Sequence, residues 1–173
     1  MNIREKLLEE HSRKIRDEIV RYIAHDKKKF AELMDLFFHA EYRINQRAAW
    51  PMSSCVQKYP DLIIPYLKPL IQQLTKKGKH DSVKRNTVRI LQDIAIPQKF
   101  HGRLMKICFD FIQSNETPAA IKAFSLRILE NMARTYPEII RELKLIVQER
   151  WDHESAAFRS RGRKILKFFP HQN

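Results

Sequence analysis

The chain is 173 residues long, 43% hydrophobic and 31% charged, a balance that suits one folded globular core and excludes a disordered chain. Three glycines in that length argue against sandwiches, barrels and nucleotide-cradling folds, whose turns and loops need glycine. Lys and Arg number 33 against 20 Asp and Glu, a net charge of +13, which points to a polyanionic or acidic partner.

The amino terminus, Met1-Asn2-Ile3-Arg4-Glu5-Lys6-Leu7, is charged from the start, with no apolar signal region behind it. Residues 3 to 24 predict one helix of mixed charge, suited to capping the helices after it or to pairing with another chain. Asp26 to Phe38 predicts the next helix, with Phe30, Leu33, Met34, Phe37 and Phe38 at helical spacing and Asp26 as its cap. Residues 45 to 53 come next, with Trp50 at an apolar position that predicts a core tryptophan. Tyr59-Pro60 then opens a stripe of Leu62, Ile63, Tyr66, Leu67, Leu70, Ile71 and Leu74. Even its longest apolar run, Leu62 to Leu67, is far too short to span a bilayer.

The run from Lys76 to Ser82 lacks the first glycine, the Gly-Lys-Ser/Thr order and the preceding strand of a phosphate loop, so it reads as a turn. Val83 to Leu91 is a basic-apolar helix. Ile96-Pro97 opens the stripe Phe100, Leu104, Ile107, Cys108, Phe111 and Ile112, in which Cys108 is a small buried hydrophobe. Thr117-Pro118 reads as the cap and first turn of Ile121 to Leu129. Tyr136-Pro137 opens Ile139, Ile140, Leu143, Ile146 and Val147, Trp151 staples the next loop, and Phe158 to Leu166 is the last helix. Proline suits the first helical position, where its missing N–H costs nothing. Pro51, Pro65 and Pro69, inside predicted helices, kink them or delay their start.

Four of these segments are copies of one another. Val83-Lys84-Arg85-Asn86-Thr87-Val88-Arg89-Ile90-Leu91 recurs 38 residues later from Ile121 and a further 37 later from Phe158, with a weaker copy from Asn45. The unit is helix, short turn, helix. One such pair cannot bury its apolar face alone, whereas a stack of pairs can. The expected architecture is an all-α superhelix, or solenoid, in a single domain: a capping helix over 1–25, then repeats over 26–58, 59–96, 97–136 and 137–170.

The second-helix pattern, an apolar residue, then Lys or Arg, then small and apolar residues leading into Ile-Leu, resembles the HEAT repeat family. An acidic residue precedes each such helix: Asp81 before Val83-Lys84, Glu116 before Ile121-Lys122, Asp152 before Phe158-Arg159. The likeness covers roughly residues 26–170, and the first copy departs from it with Gln46 at the basic position and Pro51 in the helix. It implies a scaffold that holds protein partners on a concave face lined by second helices. A minority of such proteins bind nucleic acid, among them a class of alkylpurine DNA glycosylases.

Equivalent repeat positions carry two basic ladders, Lys84, Lys122 and Arg159, and Arg89, Arg127 and Lys164. All six are candidates for contact with a partner or a phosphate backbone, because neighbouring helices lie about 8–10 Å apart and a row of cations can meet a row of anions. Each cation of the first ladder comes after a turn acid and is expected to pair with it. The second lies a turn further on, with no such partner, and Arg161, Arg163 and Lys167 enrich the same end. Asp93 and Glu130 make no cluster with aromatics of the kind a glycosylase needs. Seven scattered histidines and two distant cysteines predict neither metal nor cofactor. Pro51-Met52-Ser53-Ser54 has residue types of the serine loop of fumarase-type lyases in the wrong order, and no nucleophile has a base at motif spacing. The sequence thus predicts a non-enzymatic, cytoplasmic scaffold binding an acidic protein segment, with nucleic-acid binding as the alternative and a glycosylase a distant third.

Overall fold

The computed structural model describes residues 1–76, 78 and 81–168. Lys77, Lys79, His80, His171 and the end of the expected last repeat lie outside the described residues. Within them the chain forms ten α-helices joined by short 3-10 turns and no strand. It divides into two compact units, Met1–Asn86 and Thr87–Asn173.

In the first unit the expected helix over 3–24 is two helices, α1 (Ile3–Glu9) and α2 (Arg13–Ile23). The break has a local cause: Glu10 is extended, and the Ser12 hydroxyl accepts the Ile15 N–H as an N-cap. Asp26 caps α3 (Lys27–His39) by accepting from the N–H groups of Lys28 and Lys29, which hold its carboxyl below the usual range. Helix α4 (Tyr42–Lys58) continues past Pro51, which is buried and cannot donate to the carbonyl one turn back. Pro60 and Pro65 shape a 3-10 segment over Pro60–Tyr66, and α5 (Leu67–Gln73) starts only after it. Pro65 delays the helix, as the sequence predicts, whereas Pro60 opens a 3-10 segment in place of the expected α-helix and Pro69 sits within the first turn of α5.

The core of this unit is built from Ile19, Ile23, Phe30, Leu33, Met34, Phe37, Ile44, Met52, Leu62, Ile63 and Leu67, all essentially inaccessible. Trp50 is not among them, against expectation. It is half-buried, with the His11 ring centroid 5.3 Å away and the Arg16 guanidinium 4.8 Å from its own. The copy that begins at Asn45 keeps its register, since Asn45, Ala48, Ala49 and Met52 are buried as Val83, Asn86, Thr87 and Ile90 are, but the tryptophan lies at the edge of that buried face.

Helix α6 (Asp81–Leu91) carries the boundary between the units. The second unit continues with α7 (His101–Gln113), α8 (Ala119–Ala133), α9 (Ile140–Glu149) and α10 (Ala156–Phe168). Pro97 and Pro137 again introduce 3-10 turns that lead into α7 and α9. Thr117 makes no cap: Pro118 takes the N-cap position of α8 in extended conformation. Helix α8 packs against both α7 and α10 and so is hydrophobic over most of its circumference, burying Ile121, Leu126, Ile128, Leu129 and Met132. Leu104, Cys108, Leu143, Val147, Phe158 and Ile165 complete the core. Burial pushes the thiols of Cys55 and Cys108 up to about 12.

Gly162 decides how closely α10 approaches its neighbour. A Cβ there would lie 2.7 Å from Val147 Cγ1 and 3.2 Å from Trp151 Cζ3. Gly102 in α7 has no atom within 4 Å of an added Cβ. Gly162→Ala is therefore expected to destabilise the fold by about 1–3 kcal/mol through overpacking, whereas Gly102→Ala stabilises it by about 0.4–1 kcal/mol through unfolded-state entropy. Urea denaturation of the two variants measures both signs. Neither thiol should react with a disulfide reagent at about pH 8 while the chain is folded, because the thiolate is the reactive form. Both should react in denaturant.

Candidate partner-binding surface

The two basic ladders meet different fates. Glu154, buried in the turn before α10, takes up two members of the first, Lys122 and Arg159. Its Oε1 accepts from Lys122 Nζ at 2.5 Å and from Arg150 Nε at 2.8 Å, and Arg159 Nη1 donates to its backbone carbonyl at 2.8 Å. Arg150 also donates to the Gln113 carbonyl and to Asn115 Oδ1. One residue thus fastens the loop between α7 and α8 and the first turn of α8 through its carboxylate, and the start of α10 through its carbonyl. The expected turn acids are not the partners: Glu116 and Asp152 are exposed. The acid that pairs with Lys122 is 32 residues downstream, in the next turn. Lys122 is 4% exposed and so out of a partner's reach. Arg159 is half-buried, and Lys84, in the first unit, is half-exposed on α6.

The second ladder stays at the surface. Arg89 on α6 and Lys164 on α10 are exposed. Arg127 on α8 is half-exposed, its Nη1 3.3 Å from Glu130 Oε2 one turn on. Arg161 approaches the same oxygen from α10, at 3.8 Å. Glu130 itself is only 4% exposed, a carboxylate set into the wall between two guanidiniums.

Helical spacing extends this surface along both helices. Residues 127, 130, 131 and 134 share one face of α8, and 161, 164 and 168 one face of α10. Asn131 Nδ2 donates to the Gln92 carbonyl at 2.9 Å, tying α8 to the end of α6. At the far end the Arg134 guanidinium lies 4.3 Å from the Phe168 ring centroid. Helix α10 carries Arg159, Arg161, Arg163, Lys164 and Lys167 and no acidic residue. Such a surface can bind and orient anions.

Sequence reasoning weighed Glu130 only as a lone acid and missed Glu154 and Arg150 altogether. The i,i+3 spacing of Arg127 and Glu130 was a usable signal; a contact across 32 residues left none. Among the described residues no group of three His, Cys, Asp or Glu side chains could hold a metal ion, and no helix is long and apolar enough to cross a membrane.

A family model described as a HEAT repeat domain matches residues 3–169. Comparison with curated proteins and with solved structures gives no match.

The hub at Glu154 separates two kinds of acid in the turns. Glu154→Ala leaves Lys122 as an unpaired buried charge and should cost about 3–5 kcal/mol. Glu116→Ala and Asp152→Ala, at exposed positions, should stay within about 0.5 kcal/mol of the parent chain. Thermal unfolding of the three variants makes the comparison.

Proposed function

Because the chain belongs to the HEAT repeat domain family, whose members are repeat scaffolds for protein interaction, we propose that it is a non-enzymatic scaffold binding an acidic segment of a protein partner. Arg89, Arg127 and Lys164 are the residues assigned to that contact. The observation that supports them is the division of labour among the cations. Lys122 and Arg159 serve Glu154 and the fold, while Arg89 and Lys164 project into solvent. A cytoplasmic setting suits the two free, buried cysteines.

Charge complementarity of this kind steers encounter and fixes register more than it adds affinity. An exposed cation meeting a carboxylate contributes about 0.2–1 kcal/mol, so affinity comes from several such contacts over the surface. Nucleic acid is the second reading, and it draws on α10, where Arg163, Lys164 and Lys167 are exposed with no acid on the same helix.

The experiment is a titration of labelled acidic peptide at several salt concentrations, with the full chain and with its Arg89→Ala, Arg127→Ala, Lys164→Ala variant. The triple variant should bind about 3–30-fold more weakly and lose part of the salt dependence. Arg103→Ala, an exposed cation on α7, should bind as the parent does. Equal binding by the parent and the triple variant would remove these residues from the contact. For nucleic acid the readout is the slope of log affinity against log salt, about 0.9 per phosphate contacted on duplex DNA.

A further inference from the structure

We infer that Glu130 makes the surface between α8 and α10 select a carboxylate-bearing peptide over a nucleic acid. The inference rests on the proposed function and concerns which anion that surface accepts.

Two cations face one anion here. Arg127 and Arg161 have side chains 35% and 28% exposed, and both approach Glu130, whose side chain is 5% exposed. The surface here therefore holds one uncompensated positive charge, open to solvent through the two guanidiniums. A single incoming carboxylate brings the group to two cations and two anions, each guanidinium having donors left over to meet it. A peptide can deliver one carboxylate on a flexible stem and present neutral backbone alongside.

A nucleic-acid strand cannot do this. Its phosphates come in a line of fixed spacing with a negative charge on each. Laid across Arg127 and Arg161, that line sets more than one phosphate within reach of the Glu130 carboxylate, which is buried where the effective dielectric is low and repulsion correspondingly strong. Like-charge juxtaposition of this sort is a device for excluding the wrong partner.

A second observation concerns aromatic residues. Single-stranded nucleic acid is held by bases stacking on exposed rings beside a basic groove. Phe168, with the Arg134 guanidinium 4.3 Å from its centroid, is 51% exposed and offers such a ring at the end of α10, so the selection for peptide rests on the charge at Glu130.

The test titrates the full-length chain and Glu130→Gln with a fluorescein-labelled peptide whose glutamates are separated by neutral residues and with labelled oligothymidylate of the same formal charge, at one salt concentration. The parent chain should prefer the peptide. Glu130→Gln should gain about tenfold in affinity for the oligonucleotide and so narrow the preference. A ratio unchanged by Glu130→Gln overturns the inference while leaving the scaffold reading intact. A parent chain that binds neither probe, or favours the oligonucleotide, overturns both. Should Glu130→Gln not fold, as judged by circular dichroism, Arg161→Gln decides. It brings the group to one cation and one anion, so peptide affinity should fall several-fold more than oligonucleotide affinity, and equal losses overturn the inference.

Discussion

The buried contact between Lys122 and Glu154 is the constraint on which the second unit depends. Burying an ammonium and a carboxylate is costly unless each meets an opposite charge and further hydrogen bonds. Arg150 supplies them: it donates to the same carboxylate oxygen and to the loop between α7 and α8. The chain can close this network only if the turn before α10 sits against the first turn of α8. That requirement sets the position of α10, which must then lie close enough to α9 for Gly162 to touch Val147 and Trp151. Polar closure and apolar packing thus impose the same arrangement.

The network also decides what is left for function. A cation held by a buried carboxylate cannot serve a partner, so Lys122 is removed from the surface and Arg159 is turned toward a carbonyl. One turn further along the same helices nothing of equal strength competes. Arg127 and Arg161 share Glu130 at 3.3 and 3.8 Å, longer than the 2.5 Å of the Lys122 pair, and keep part of their surface in water. The two ladders look alike in sequence, yet one is structural and the other carries the proposed contact. Burial of the cation makes the difference: both acids are buried, but Lys122 is buried with its partner while Arg127 and Arg161 keep 35% and 28% of their side chains exposed.

The fold was largely legible. Apolar stripes at 3.6-residue spacing marked each long helix, because a helix in a stack must bury one face whatever its detailed contacts. Asp26 announced α3 because capping is a local bond between a side chain and N–H groups two and three residues on. The break between α1 and α2 was legible too: Ser12 caps α2 by the same chemistry, and an unbroken helix over 3–24 overlooked it. Trp50 was misplaced for another reason. The weakest copy keeps its register, with Ala48, Ala49 and Met52 buried as Asn86, Thr87 and Ile90 are, but the position equivalent to Val88 lies at the edge of the buried face of α4, where the indole meets His11 and Arg16.

The sequence by itself determined the repeat unit, the all-α class, the family and the positions at which basic residues recur. All of these come from periodicity and local bonding within a few turns of chain. Only the tertiary structure decided that Glu154, and neither Glu116 nor Asp152, receives Lys122, that Glu130 stands between Arg127 and Arg161, and that Phe168 lies beneath Arg134. Each of these joins residues a few turns apart along a helix to residues about thirty positions away. Repeat spacing says which positions are equivalent, but the partner of a charge is set by which helices lie side by side and how far their neighbours exclude water.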